Sequence, residues 1–118
     1  MNTPSMPPTI YKICASTHWL AAEHDRVLRG TADDLRDGFI HFSTADQLAD
    51  TLARHFAGQG DLILIEVDAG AIGPALRWEP SRGGALFPHL YGELPVRAVK
   101  SVRPLSLAAD GRHLIPKL

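Results

Sequence analysis

Apolar positions recur along the chain in short runs of period two, broken once by a clear helical stripe. Thr9–Ala15 (TIYKICA) is rich in β-branched and aromatic residues and predicts the first strand. Ser16 and Thr17 follow as candidate helix caps. Trp19, Leu20 and Ala22 give the apolar face of a short helix reaching toward Asp25, and Val27-Leu28 predicts a brief strand closed by Gly30. Thr31 to Asp37 is mostly polar and reads as a helical turn or a loop. Asp37-Gly38 permits a tight turn, and Phe39-Ile-His-Phe-Ser43 predicts the next strand.

The single helical stripe comes next. Thr44-Ala-Asp-Gln47 has capping-box spacing, in which the Thr and Gln side chains satisfy each other's free backbone amides. Leu48, Leu52 and Phe56 then recur four apart beside Ala45 and Ala49, and Gly58 ends the helix. Asp61 to Asp68 is almost continuously apolar, which predicts a central strand covered on both faces. Ala69 to Pro74 reads as a loop. Leu76 and Trp78 alternate with Arg77 and Glu79 in a strand stopped by Pro80. Ser81 to Ala85 is a glycine-rich loop and Phe87 to Tyr91 is extended. After Pro95, residues Val96, Ala98, Val99 and Val102 predict the last long strand. The pattern loosens from Leu105, with a small strand expected near Leu114 and Ile115. Strands outnumber helices and do not alternate with them as βαβα. An α+β fold with a small mixed or split sheet and two or three helices is therefore expected.

Composition narrows the function classes. At 118 residues the chain is one domain, 9–118, behind a Pro- and Ser-containing segment, Met1–Pro8, expected to be a mobile tail. The net charge is −1 with acids and bases interspersed, and no basic stripe speaks for nucleic acid. The single cysteine, Cys14, excludes an intrachain disulfide and a cysteine-based zinc site, and it sits in an apolar run as a small hydrophobe. No apolar run approaches the ~18 residues of a membrane span. A cytoplasmic protein, monomeric or weakly self-associating, is expected. P-loop, dinucleotide-fingerprint and nucleophile-elbow motifs do not occur.

Two segments concentrate the chemistry. Strand alternation puts Phe39, His41 and Ser43 on one face, just before the helix start at Thr44, where free N–H groups attract phosphate or carboxylate. Arg77 to Gly92 crowds Trp78, Glu79, Arg82, His89 and Tyr91 around adjacent glycines. Trp78, Phe87 and Tyr91 are candidates to stack a ring, and Arg77 or Arg82 to pair with phosphate or carboxylate. Glu79 could accept from ribose hydroxyls or act as a base. Lys12, alone among apolar neighbours, is an edge lysine or a pocket cation. A metal site built from His41, His89 and Glu79 has no supporting motif spacing, and none is expected. His18, His24, His55 and His113 are expected to be solvated.

These residues carry a family resemblance. Ile10-Tyr-Lys-Ile13, Trp19, Asp37-Gly-Phe-Ile-His-Phe-Ser-Thr44 with Gln47, Arg77-Trp-Glu79 and Phe87-Pro-His-Leu-Tyr-Gly92 resemble a bacterial family known as domain of unknown function 952. That family looks related to the ADP-ribosyltransferase-like fold, a split sheet that cradles NAD. The resemblance implies that Lys12 or His41 contacts the ribose. It makes Ser43 and Thr44 supports of the site, and Glu79 or His89 the polar partner in catalysis. The leading expectation is a pocket for NAD or a related nucleotide, with ADP-ribosyl transfer or NAD cleavage as its chemistry. The alternatives are a non-catalytic sensor of a small anion and a protein-interaction module presenting Trp78, Phe87 and Tyr91.

Overall fold

Among residues 6–118, which the computed structural model describes apart from the side chain of Arg82, nine strands and three helices form an α+β fold. In chain order they are β1 (Thr9–Ala15), α1 (Ser16–Asp25), β2 (Val27–Leu28), α2 (Ala32–Asp37), β3 (Ile40–His41), α3 (Leu48–His55), β4 (Leu62–Asp68), β5 (Leu76–Pro80), β6 (Leu86–Leu90), β7 (Leu94–Pro95), β8 (Val99–Leu107) and β9 (His113–Leu114). Most of the expected tail, residues 1–5 of Met1–Pro8, lies outside the described residues.

The strands form three antiparallel sheets: β1-β4-β8-β9, β3-β6-β5 and the short pair β2-β7. As its apolar run predicts, β4 is buried on both faces and lies between β1 and β8. Ile63, Ile65 and Val67 point into one half of the core with Ile10, Cys14, Ile40, Phe42 and Leu90. Leu62 and Leu64 point into the other half with Tyr11, Ile13 and the Leu48–Leu52 stripe of α3.

Several boundaries differ from the sequence expectation. Ala15 stands at the N-cap of α1 with no side-chain capping bond, and the Ser16 hydroxyl instead donates to Asp61 at 2.8 Å. Of the two readings of Thr31 to Asp37 the helical one holds: Thr31 caps α2, its backbone N–H donating to Asp34 while its hydroxyl accepts from the Asp34 amide. Val96–Ala98 is a 3-10 turn, so the last long strand starts at Val99. The strand expected over Phe39–Ser43 is paired as a ladder only at Ile40–His41. Beyond it the Phe42 amide donates to the Pro88 carbonyl, and Ser43 exchanges both backbone hydrogen bonds with Tyr11 at 2.8 and 2.9 Å. The chain thus leaves the three-stranded sheet and touches the free edge of β1 at one residue pair. Between those two sheets a cleft opens.

Candidate functional site

Period-two alternation sorts the three-stranded sheet into a core face and a chemical face. Ile40 and Leu90, Leu76 and Leu90, and Trp78 and Pro88 are cross-strand pairs, and the apolar members pack on the core. The intervening pairs are His41 with His89, Arg77 with His89, and Glu79 with Phe87, so these side chains share the opposite face. Phe39 lies against the same group. Its ring stacks on His89 at 4.1 Å between centroids and approaches His41 and Tyr91 at 4.6 and 5.2 Å.

This face forms part of a cavity of about 740 Å³ bounded by the free edge of β1 and by α2. That volume lies within the usual range for small-molecule sites, ~300–1,000 Å³. Lys12, Ser43, His41 and His89 line it, as do His18 and His55, which the sequence leaves in solvent.

Asp34 organises the β1 side. Its carboxylate is buried at 2% exposure and accepts from four donors. Lys12 Nζ is 2.8 Å from Oδ2 and 3.0 Å from Oδ1. The Thr31 amide donates at 2.8 Å, the His41 amide at 3.1 Å and His41 Nδ1 at 2.7 Å. Burial alone pushes the Asp34 carboxyl up, but the His41 bond, the Lys12 charge and the Thr31 amide outweigh it and hold the group far below the usual carboxylate range. Gly30 makes room for this carboxylate. At φ +115°, a Cβ on residue 30 would lie 2.7 Å from the Asp34 Cβ. Lys12 is therefore a buried, paired cation on the cleft wall.

The two central histidines differ in what they leave free. His41 has Nδ1 against Asp34 and Nε2 against Asp37 Oδ2 at 2.9 Å. Both ring nitrogens therefore face carboxylate oxygens of this chain. His89 has Nδ1 2.8 Å from Glu79 Oε1, and the same oxygen accepts from the Tyr91 hydroxyl at 2.7 Å. The Tyr91 and His89 bonds lower the Glu79 pKa below its ordinary value. The Arg77 guanidinium lies 4.7 Å above the Tyr91 ring centroid and completes the series Arg77, Tyr91, Glu79, His89.

The candidate residues named from the sequence fall into three groups. Lys12, His41, Ser43 and His89 meet at the cleft. Glu79 and Tyr91 reach it only through His89. Trp78 packs on the apolar core, on the opposite face of β5 from Glu79. At Thr44 the backbone N–H donates to Gln47 Oε1 at 3.0 Å, and Gln47 Nε2 ties the turn to the Leu86 carbonyl. That helix start is capped from within the chain. Arg82 begins a 3-10 turn, and its side chain lies outside the described structure. Of the three rings expected to form an aromatic surface, Phe87 is buried, Trp78 faces the core and Tyr91 alone is exposed. Cys14 lines the cleft but is buried, and burial pushes its thiol up to about 11, as befits a structural cysteine. No group of three or more metal-ligating side chains occurs among the described residues.

Sequence reasoning missed Asp34 and Asp37, along with Thr51, whose hydroxyl lies 2.9 Å from that of Ser43, and it placed Phe39 on the His41 face without giving it a role. The available signal was the Thr31-x-x-Asp34 spacing, which marks a cap, with Asp37 one turn later and directly before the His41 strand.

Comparison with known proteins places this geometry in a family. The model of the family described as "Protein of unknown function (DUF952)" matches residues 13–102. The crystal structure of protein CC0527 from Caulobacter crescentus is 46% identical, with a TM-score of 0.87 over 90% of this chain and 93% of that one. The crystal structure of a double methionine variant of CC0527 gives 0.86 at the same identity and coverage. Its solution NMR structure gives 0.80, covering 90% of this chain and 91% of that one. Among curated proteins there is no match.

Proposed function

The chain belongs to the DUF952 family, and we propose that its cleft binds a small nucleotide-type ligand, with NAD the compound to test first, in the manner of an ADP-ribosyltransferase-like split sheet. One observation carries the reading. Among the described residues one isolated backbone bridge, Tyr11 with Ser43, links the segment leaving the three-stranded sheet to β1, and the cavity beside it is lined by Lys12, His41, Ser43 and His89. The Lys12 ammonium, held by Asp34, brings a cation to one wall, suited to ribose hydroxyls or phosphate oxygens. Ser43 and Thr51 offer a paired hydroxyl beside it. The buried aromatic edge of Phe87 supplies apolar surface for a planar ring.

The test is a titration of isotope-labelled protein with NAD, followed by backbone amide shifts. Saturable changes at Lys12, His41 to Thr44 and His89 are expected. An unchanged spectrum at millimolar NAD would reject the NAD reading.

A further inference from the structure

We infer that His89, oriented by Glu79, is the general base of this cleft and that the nucleophile it activates is water, so that the bound nucleotide is hydrolysed and not transferred to a macromolecule. The inference rests on the nucleotide-binding reading above. Three observations point to it.

The first is the difference between the two histidines. A carboxylate on each side occupies both nitrogens of His41. His89 has one carboxylate partner, through Nδ1, and lines the cavity. A Glu79 carboxylate fixes the proton on Nδ1, so the lone pair of the neutral ring lies on Nε2. The second is the rigidity of the dyad. Glu79 Oε1 is held by the Tyr91 hydroxyl as well as by the imidazole, and the ring is stacked on Phe39, so its orientation is set before any ligand arrives. The third is access. The His89 side chain is 9% exposed. The ring lines the cavity, where a water molecule is small enough to meet it, whereas a protein or nucleic-acid acceptor would have to enter the cleft beside the nucleotide.

For NAD the step is balanced as follows. A water O–H proton passes to His89 Nε2 and the water oxygen bonds to the ribose C1′. The C1′–N bond breaks, and its electron pair neutralises the pyridinium nitrogen as nicotinamide leaves. His89 then returns the proton to solvent. The products are ADP-ribose, nicotinamide and one proton. The groups facing His89 are Glu79 and Arg77 from β5, His41 from β3 and Tyr91 just beyond β6. Glu79 is a positioning residue in this scheme.

The experiment incubates the full chain with NAD in ¹⁸O-water, following binding by amide shifts and products by mass spectrometry. Wild type is expected to release nicotinamide and to place one ¹⁸O on ADP-ribose. His89→Gln should keep NAD binding and lose turnover by about 10²–10⁴-fold, the usual weight of a general base. Glu79→Gln should fold, bind NAD and shift the acid limb of the pH–rate profile, which a merely structural role would leave in place. NAD binding by wild type without nicotinamide release would overturn the hydrolytic inference and leave the binding reading standing. So would full turnover in His89→Gln, or an unmoved pH profile in Glu79→Gln. Absence of NAD binding would overturn both.

Discussion

The ion pair between Lys12 and Asp34 gives the sharpest energetic prediction. Both side chains are nearly sealed from solvent, at 5% and 2% exposure, and lie 2.8 Å apart. Removing one member of such a pair strands the other charge in low dielectric, at a cost of about 3–5 kcal/mol. Asp34→Ala strands Lys12 and also removes the acceptor for His41 and for the Thr31 amide. Against a total stability of about 5–15 kcal/mol for a domain, this is a large fraction. With a urea m-value of about 2 kcal/mol/M, the unfolding midpoint should fall by roughly 2 M. Lys12→Met leaves the carboxylate with His41 and two amides, so its cost should be nearer that of one lost charged hydrogen bond, about 1.5–3 kcal/mol. The double variant Lys12→Met/Asp34→Ala no longer buries a lone ammonium and should be more stable than Asp34→Ala alone. Equilibrium urea unfolding followed by Trp19 and Trp78 fluorescence reads all four proteins, since both rings pack against the core. A loss below about 1 kcal/mol for Asp34→Ala, or strictly additive losses in the double variant, would refute the argument that this network is a buried and interdependent unit.

Three further predictions follow from the same geometry. The folded-state pKa of Asp34 is depressed, so its contribution to stability is full above the unfolded value of about 3.9 and is lost as pH falls through the folded value; the urea midpoint of wild type should drop with acid below about pH 4, and that of Asp34→Asn should drop less. Gly30→Ala places a Cβ 2.7 Å from that of Asp34 at positive φ, and a loss of about 1–3 kcal/mol is expected in thermal or urea unfolding; unchanged stability would mean that the Thr31 cap relaxes freely. Tyr91→Phe removes the hydrogen bond that does most to lower the Glu79 pKa, so the carboxyl carbon of Glu79 should titrate at higher pH by NMR, whereas an unmoved titration would show that the hydroxyl does not hold it.

How much of this was legible beforehand depended on whether local pattern or tertiary contact decides each element. β1 reads directly from its β-branched and aromatic residues, β4 from its almost continuous apolarity, and α3 because its Leu48–Leu52 stripe repeats at the helical period. For helix α2 the sequence leaves a helical turn and a loop both open, because hydrophobic periodicity does not hold it. A cap at Thr31 and the burial of Asp34 hold it, and burial of a carboxylate depends on Lys12 arriving from 22 residues away. Alternation correctly set Phe39, His41 and Ser43 apart from Ile40 and Phe42. The same rule, applied to Arg77-Trp78-Glu79, puts Trp78 on the core face and away from the ring-stacking role its chemistry suggested. The register of β3 on β6 makes His41 and His89 direct cross-strand partners. The split between the sheets had no local signature. It arises because the chain after His41 turns from β6 to the edge of β1, an outcome set by the Tyr11–Ser43 pair.

A crystal structure of the protein soaked with NAD tests the central claim most directly. Ligand density in the cavity between the β1 edge and the three-stranded sheet, within hydrogen-bonding distance of Lys12 or His41 and beside His89, is the predicted result. An empty cleft at saturating NAD, or NAD bound elsewhere on the surface, would contradict the account.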